Sequence, residues 1–161
     1  MANDSTKGAL KEELVRILQG QLEILESAHR ATLEGATHEE AKPENDKDTR
    51  ALEQSYVARG QAMRIDELQR ELAEVSAMSL RSFAGRMPVA LGALVTAHEN
   101  GVARSLFMAP HGGGTYLAGR TVQVVTPKSP LGRALLGKCA GDSCEAEVGG
   151  RARALDIEEV V

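Results

Sequence analysis

The sequence predicts an α+β protein: an N-terminal antiparallel coiled-coil hairpin followed by a C-terminal antiparallel sheet domain with one short helix. Three observations predict it. Apolar residues recur at three- and four-residue intervals through the first half, the mark of amphipathic helices. Short β-rich runs parted by glycine turns fill the second half, the mark of hairpin-connected strands. Charge divides along the same line: residues 1–80 hold 16 acidic and 10 basic side chains, and residues 81–161 hold 7 and 9. Halves of opposite sign suggest two modules with different partners. The boundaries read as a hairpin over 1–78, a linker over 79–88 and a sheet domain over 89–161.

The first helix opens at Asp4 or Ser5 and fades between Leu33 and Gly35. Ile17 and Ile24 lie one heptad apart, and Leu10, Leu14, Leu18, Leu22, Leu25 and Ala28 thicken the stripe. The second opens near Asp48 or Thr49. Ala51, Ala58, Ile65 and Leu72 fall seven apart, with Leu68 and Val75 in the second seam position, as a heptad seam requires. At about 28 residues each, the helices span roughly 42 Å. The period stops over 77–88, where Ser79, Ser82, Gly85 and Pro88 read as a linker.

Beyond it, Val89, Leu91, Leu94 and Val95 lie near a strand, Asn100-Gly101 makes a hairpin turn, and residues 102–108 return. His111 and three glycines turn the chain again. No helix start follows them, so they lack the context of a phosphate cradle. Residues 122–125 are a strand. Ser129-Pro130 then starts a short helix: the hydroxyl accepts from an orphan amide, and proline at the first helical position gives up a donor that had no partner. Ala134, Leu135 and Leu136 continue it and Gly137 stops it. Residues 144–148 alternate apolar and charged, Gly149-Gly150 turns, and Leu155-Asp156-Ile157 leads to the end.

Composition excludes some functions. Aromatic residues make up 2% of 161 and tryptophan is absent. That argues against an aromatic-lined pocket and against base-stacking recognition of single-stranded nucleic acid. A net charge of −4 lacks the basic footprint of a general DNA binder. No apolar run reaches 18 residues and the first residues are polar, so a soluble, cytoplasmic protein is expected. Cys139 and Cys144 have no Cys or His pair nearby to complete a zinc site, and read as reduced thiols.

Residues 34–48 carry six carboxylates and two lysines, at the turn of the expected hairpin. Clustered carboxylates are hard oxygen ligands suited to Mg²⁺. A few of them on a turn would not hold Mg²⁺ alone, but could complete a second metal position in another protein's phosphoryl-transfer centre. A charged loop is also simply a solvated loop, and Asp46 and Asp48 suit the first turn of a helix. His38 reads as an exposed turn histidine.

The run Ser129 to Lys138, with Gly141-Asp142 and Gly149-Gly150 after it, resembles the hallmark of the Gre transcript-cleavage factors. Glu44-Asn45 match the end of that family's Asp-x-x-Glu-Asn tip, and Leu52-Glu53-Gln54 with Gly60 and Ile65 look like its descending helix. The resemblance implies an FK506-binding-protein-like topology for the second domain. It implies a monomer whose partner is bacterial RNA polymerase, and contact with nascent RNA only within the polymerase. The coiled coil would enter the secondary channel and stimulate cleavage of backtracked RNA by the polymerase's own Mg²⁺ centre. On this resemblance Glu44, then Glu40 and Asp46, help position the metal, and Asn45 and Pro43 shape the tip. Lys128, Ser129, Pro130 and Arg133 meet the polymerase. Ala41 stands at the family's leading tip Asp, and Lys128 stands where the family often has Asp or Asn. A channel binder without cleavage activity is the alternative. Proline isomerisation, suggested only by fold analogy, would need an aromatic pocket, and Phe83, Phe107 and Tyr116 are the most this domain offers. No nucleophile stands beside a base, so no intrinsic catalysis is expected.

Overall fold

The computed structural model describes residues 2–39 and 47–161. Helix α1 runs Ala2–Glu39 and helix α2 runs Lys47–Ala77. Contacts divide the chain into two units, Ile17–Leu72 and Met1–Arg16 with Ala73–Val161.

The first unit is an antiparallel helix pair. Gln69 donates to Glu26 and His29 bonds Gln61, each at 3.4 Å, so numbers fall on α2 as they rise on α1. Part-buried and buried positions follow a heptad on both helices: 18, 22, 25, 29, 32, 36 and 54, 58, 61, 65, 68, 72. Leu68, Ile65, Leu72 and Ala58 keep their expected seam places. Ile24 does not: it is 73% exposed. One residue from seam position Leu25, it is turned about 100° away at 3.6 residues per turn. Ala51 is exposed too. The seam rows pass instead through polar His29, Thr32, Gln54 and Gln61, which an apolar count overlooks. Helix α1 also continues past Gly35. A mid-helix glycine costs about 1 kcal/mol relative to alanine, but unlike proline it keeps its amide donor and does not clash with the preceding turn, so the helix continues through it. Thr32 and Thr37 return their hydroxyls to the carbonyls of Ala28 and Leu33.

The second unit is built on a six-stranded sheet. Its strands are β1 Leu94–Glu99, β2 Val102–Met108, β3 Tyr116–Leu117, β4 Val122–Val125, β5 Ser143–Val148 and β6 Arg151–Val160. Their order is β3-β4-β2-β1-β6-β5. All neighbours are antiparallel except β2 and β4, which run parallel, so the sheet is mixed. The parallel pair arises because residues 109–121 return the chain to the end where β2 began. Val89 and Leu91 precede the strand they were read beside; a turn at 91–92 separates them from β1.

Side chains alternate across a strand, so register assigns the faces. Val95, Ala97, Leu106, Met108, Val125, Cys144, Ala146, Leu155 and Ile157 share one face. They pack with Leu131 and Leu135 of helix α3, Pro130–Leu135, and with Phe83, Val89 and Ala93. Phe107, Leu117, Val122 and Val124 are buried on the other face.

The first turns of α1 belong to this unit. Lys7 is fully buried, donates to the Arg81 carbonyl at 2.6 Å and lies 5.2 Å from the Phe83 ring centre. Lys11 donates to the Met78 carbonyl at 2.8 Å. Carbonyls at a helix C-terminus lack intrahelical donors and carry partial negative charge. Helix α2 has no basic residue in its last turn; Lys11 supplies a cation at Met78, just past its end, and Lys7 holds the chain at Arg81, four residues beyond Ala77. The segment after Ala77, which lacks periodicity, is thereby anchored by side chains.

Candidate functional site

Helix α3 and the segment before it make the best-defined surface of the sheet unit. Ser129 caps the helix from an extended backbone, and its Oγ accepts from the Gly132 amide at 3.1 Å. The same hydroxyl donates to the Thr126 carbonyl at 2.9 Å, and the Ser129 amide donates to Thr126 Oγ1 at 3.2 Å. Ser129 is therefore half-buried and occupied by the turn it forms. Gly132 completes the motif. A Cβ there would lie 1.8 Å from the Thr126 carbonyl oxygen, so the helix can sit this close to residue 126 only with glycine at 132. Ser129 and Pro130 carry the sequence expectation for this turn, and the glycine that the close approach also requires is marked in the sequence only by its spacing three residues after the cap.

The far end of α3 is tied down as well. The Leu136 amide donates to the Gly132 carbonyl, Gly137 donates to Val89, and Val89 donates to Lys138. Leu131 and Leu135 point into the core. Lys128, Pro130, Arg133 and Leu136 remain exposed.

Beside them lies an open groove of about 750 Å³, walled by Met78, Ala90, Leu91, Pro110, Pro127 and Leu136, with Glu74 and Arg81 at its polar margin. Leu91 and Leu136 are exposed. Glu74 also bonds His111 Nε2 at 2.7 Å, which gives the first residue of the glycine turn a partner. None of the three aromatic candidates lines this groove. Phe83 and Phe107 are buried, and the exposed Tyr116 stacks with Arg120, whose guanidinium lies 4.8 Å from the ring centre.

Glu40, Pro43, Glu44, Asn45 and Asp46, together with Ala41, lie outside the described residues. The helices that bracket them are described: α1 ends at Glu39 and α2 begins at Lys47, with Asp48 in the first turn of α2. Among the described residues no group of three or more His, Cys, Asp or Glu is placed to hold a metal ion. Further along α2, Leu52, Tyr56 and Met63 are exposed. Spaced four and seven apart, they form one outward row, which the heptad count over Ala51 and Ala58 missed. Arg64 bonds Glu67 at 2.6 Å and Glu71 at 3.0 Å; those hydrogen bonds raise its already high pKa.

Among the described residues three further groups are displaced from their ordinary values; the hydrogen bond to Glu99 raises the pKa of Arg153. The Glu99 carboxylate is held below the usual carboxylate range, first by the hydrogen bond from Arg153. Burial pushes the Cys144 thiol up, so it is a poor nucleophile. Among the described residues no helix is long and apolar enough to cross a membrane.

No protein-family model matches the chain, and no curated protein does. Solved structures do. The Gfh1 protein of Thermus thermophilus, titled a GreA factor homolog, is 18% identical at a TM-score of 0.41, covering 91% of this chain and 94% of that one. Thermus aquaticus Gfh1 is 19% identical at 0.40, covering 90% and 92%. A prokaryotic transcription elongation factor GreA/GreB from Nitrosomonas europaea is 20% identical at 0.37, covering 58% and 78%.

Proposed function

We propose that the chain is a transcription elongation factor that binds bacterial RNA polymerase and stimulates cleavage of backtracked nascent RNA. One observation carries this reading. The carboxylate-rich segment joins two helices of an antiparallel pair, one ending at Glu39 and the other starting at Lys47. Carboxylates at the turn of such a hairpin can enter a channel too narrow for a globular domain. The resemblance of Glu44-Asn45 and of residues 129–138 to the Gre pattern supports the same reading.

In this proposal the hairpin occupies the polymerase secondary channel. Glu44, with Glu40 and Asp46, helps position a Mg²⁺ ion that the polymerase active centre also holds. That ion supplies activation of water and charge stabilisation at the scissile phosphate. The chain contributes the acidic oxygens and no nucleophile of its own. The groove beside α3, flanked by Lys128, Pro130 and Arg133, is the proposed docking face on the polymerase. The exposed row of Leu52, Tyr56 and Met63 is the proposed contact with the channel wall.

The test is RNA cleavage in stalled, backtracked complexes of purified bacterial polymerase. Added protein should shorten the transcript from its 3′ end, and Glu44→Ala should abolish the effect while binding to polymerase persists. Uncut RNA with the unaltered protein would end the cleavage reading. Ala41, where the Gre pattern has its first carboxylate, motivates a second reading: a channel binder that blocks rather than assists. In that case the protein binds polymerase, leaves RNA intact and competes with a cleavage-competent factor.

A further inference from the structure

One face of the sheet changes character along every strand. On β2 the row reads Arg104, Leu106, Met108; on β6 it reads Arg151, Arg153, Leu155, Ile157; on β4 Gln123 precedes Val125. Helix α3 and residues 83–93 pack with the apolar half. The polar half lies where the turns 100–101, 118–121 and 149–150 meet, because the strand directions bring all three to one end.

Four arginines stand at that end. Arg153 makes two bonds to Glu99, at 2.5 and 2.7 Å. Arg104 reaches the same carboxylate through Nε at 3.3 Å with its side chain 53% exposed, so its terminal nitrogens keep donors to spare. Arg151 is exposed. Arg120 lies over Tyr116, which is paired with Gln123. Ala118, Gly119 and Arg120 are consecutive left-handed residues, with φ of 49°, 64° and 73°. Such a conformation is costly for arginine, and the guanidinium of Arg120 lies against the ring. Among the described strand residues, Glu99 is the one carboxylate on this face. Glu145 and Glu147 alternate to the other face, and Glu13 is engaged with the Ala118 amide.

We propose that this uncovered half-face binds single-stranded RNA, with guanidinium groups on phosphates and an unpaired base on the Tyr116–Arg120 platform. Charge complementarity names a polyanion, and arginine forks suit phosphate oxygens in particular. An exposed ring adds a surface on which an unpaired base can stack. This inference stands on the sheet unit alone and does not rest on the cleavage reading.

The test is fluorescence anisotropy of a labelled single-stranded RNA with the full chain, at several salt concentrations, beside thermal melts. Arg104→Ala and Arg151→Ala should each weaken binding and reduce the salt slope by about 0.7. Tyr116→Ala should weaken it about tenfold with the slope held. Arg120→Gly is the decisive variant: glycine suits that backbone, so the melting temperature should hold or rise while RNA binding falls. Glu145→Gln, on the other face, should change little. No binding by the unaltered protein overturns the proposal, as does binding that these variants leave intact. Tighter binding to duplex DNA, to a DNA strand of the same sequence or to polyglutamate overturns it too.

Discussion

Between residues 49 and 72, helix α2 keeps one side chain, Leu68, out of water, whereas the ten-residue strand β6 keeps Leu155, Ile157 and Val160 buried. The hairpin unit and the sheet unit thus hold their shapes by different means. A two-helix seam has one partner surface, so its residues are half-buried, and here part of it is polar: His29, Thr32, Gln54, Gln61. The sheet unit buries side chains on both faces and has tight turns whose residue types are constrained one by one. Local stability follows buried apolar contact. The hairpin should open more readily than the sheet, and it should tolerate changes that the sheet does not.

The sharpest way to break this contrast is one substitution made in both units. Gly132→Ala drives a Cβ into the Thr126 carbonyl. Backbone would have to move, at an expected cost of about 3 kcal/mol or more. Gly60→Ala, in α2, meets nothing within 4 Å and should stabilise the helix by about 1 kcal/mol. Urea unfolding of both variants checks the pair. Equal effects, or a benign Gly132→Ala, would break the contrast.

Next in size is truncation of a core leucine. Leu155→Ala should cost about 2–5 kcal/mol and lower the stability of the whole sheet unit. Leu68→Ala should cost toward the lower end of that range, because one side of its site faces a thin seam that can collapse. Amide hydrogen exchange separates them further. Faster exchange from Leu68→Ala should be confined to residues 17–72, while Leu155→Ala should raise exchange throughout the sheet.

The same contrast explains what could be read in advance. Turn chemistry is local, so Asn100-Gly101, Gly149-Gly150 and the Ser129-Pro130 start were legible, and strands β2, β4 and β5 followed from them. Leu68, Ile65 and Leu72 were legible because apolar residues mark a seam. Ile24 misled because it is apolar yet lies one step off the seam, and His29 and Gln61 were invisible because they are polar and on it. The parallel β2–β4 pairing was not legible: direction is set by where the 109–121 segment travels, which no local signal carries. The arginine half-face escaped for a related reason. Arg104, Arg120 and Arg153 are far apart in sequence and meet only through sheet register. The acidic candidates come from a carboxylate-rich stretch together with the resemblance of Glu44-Asn45 to the Gre tip, and Glu40, Glu44 and Asp46 lie outside the described residues.

The smallest expected effect concerns how the polar end of the sheet is held. Arg153 and Arg104 converge on Glu99, whose side chain is only 11% exposed, and the Arg153 hydrogen bond leads in holding its pKa down. A carboxyl whose folded pKa lies below its unfolded value favours the folded state above that unfolded value. The contribution is complete at neutral pH and is lost as pH falls from about 4.3 through the lower folded value. Glu99→Gln removes the titrating group and leaves two arginines without their anion. Its unfolding midpoint should therefore sit below that of the unaltered protein at pH 7, and the gap should shrink as acid protonates Glu99 in the latter. The hairpin provides the control. Arg64 joins Glu67 and Glu71 on an exposed helix surface, where ion pairs contribute little and salt screens them. Glu67→Gln should shift the midpoint by a few tenths of a kcal/mol at most. An equal pH-dependent shift from Glu67→Gln would mean that the Glu99 cluster is ordinary surface charge, and that the polar end of the sheet is no better organised than the hairpin.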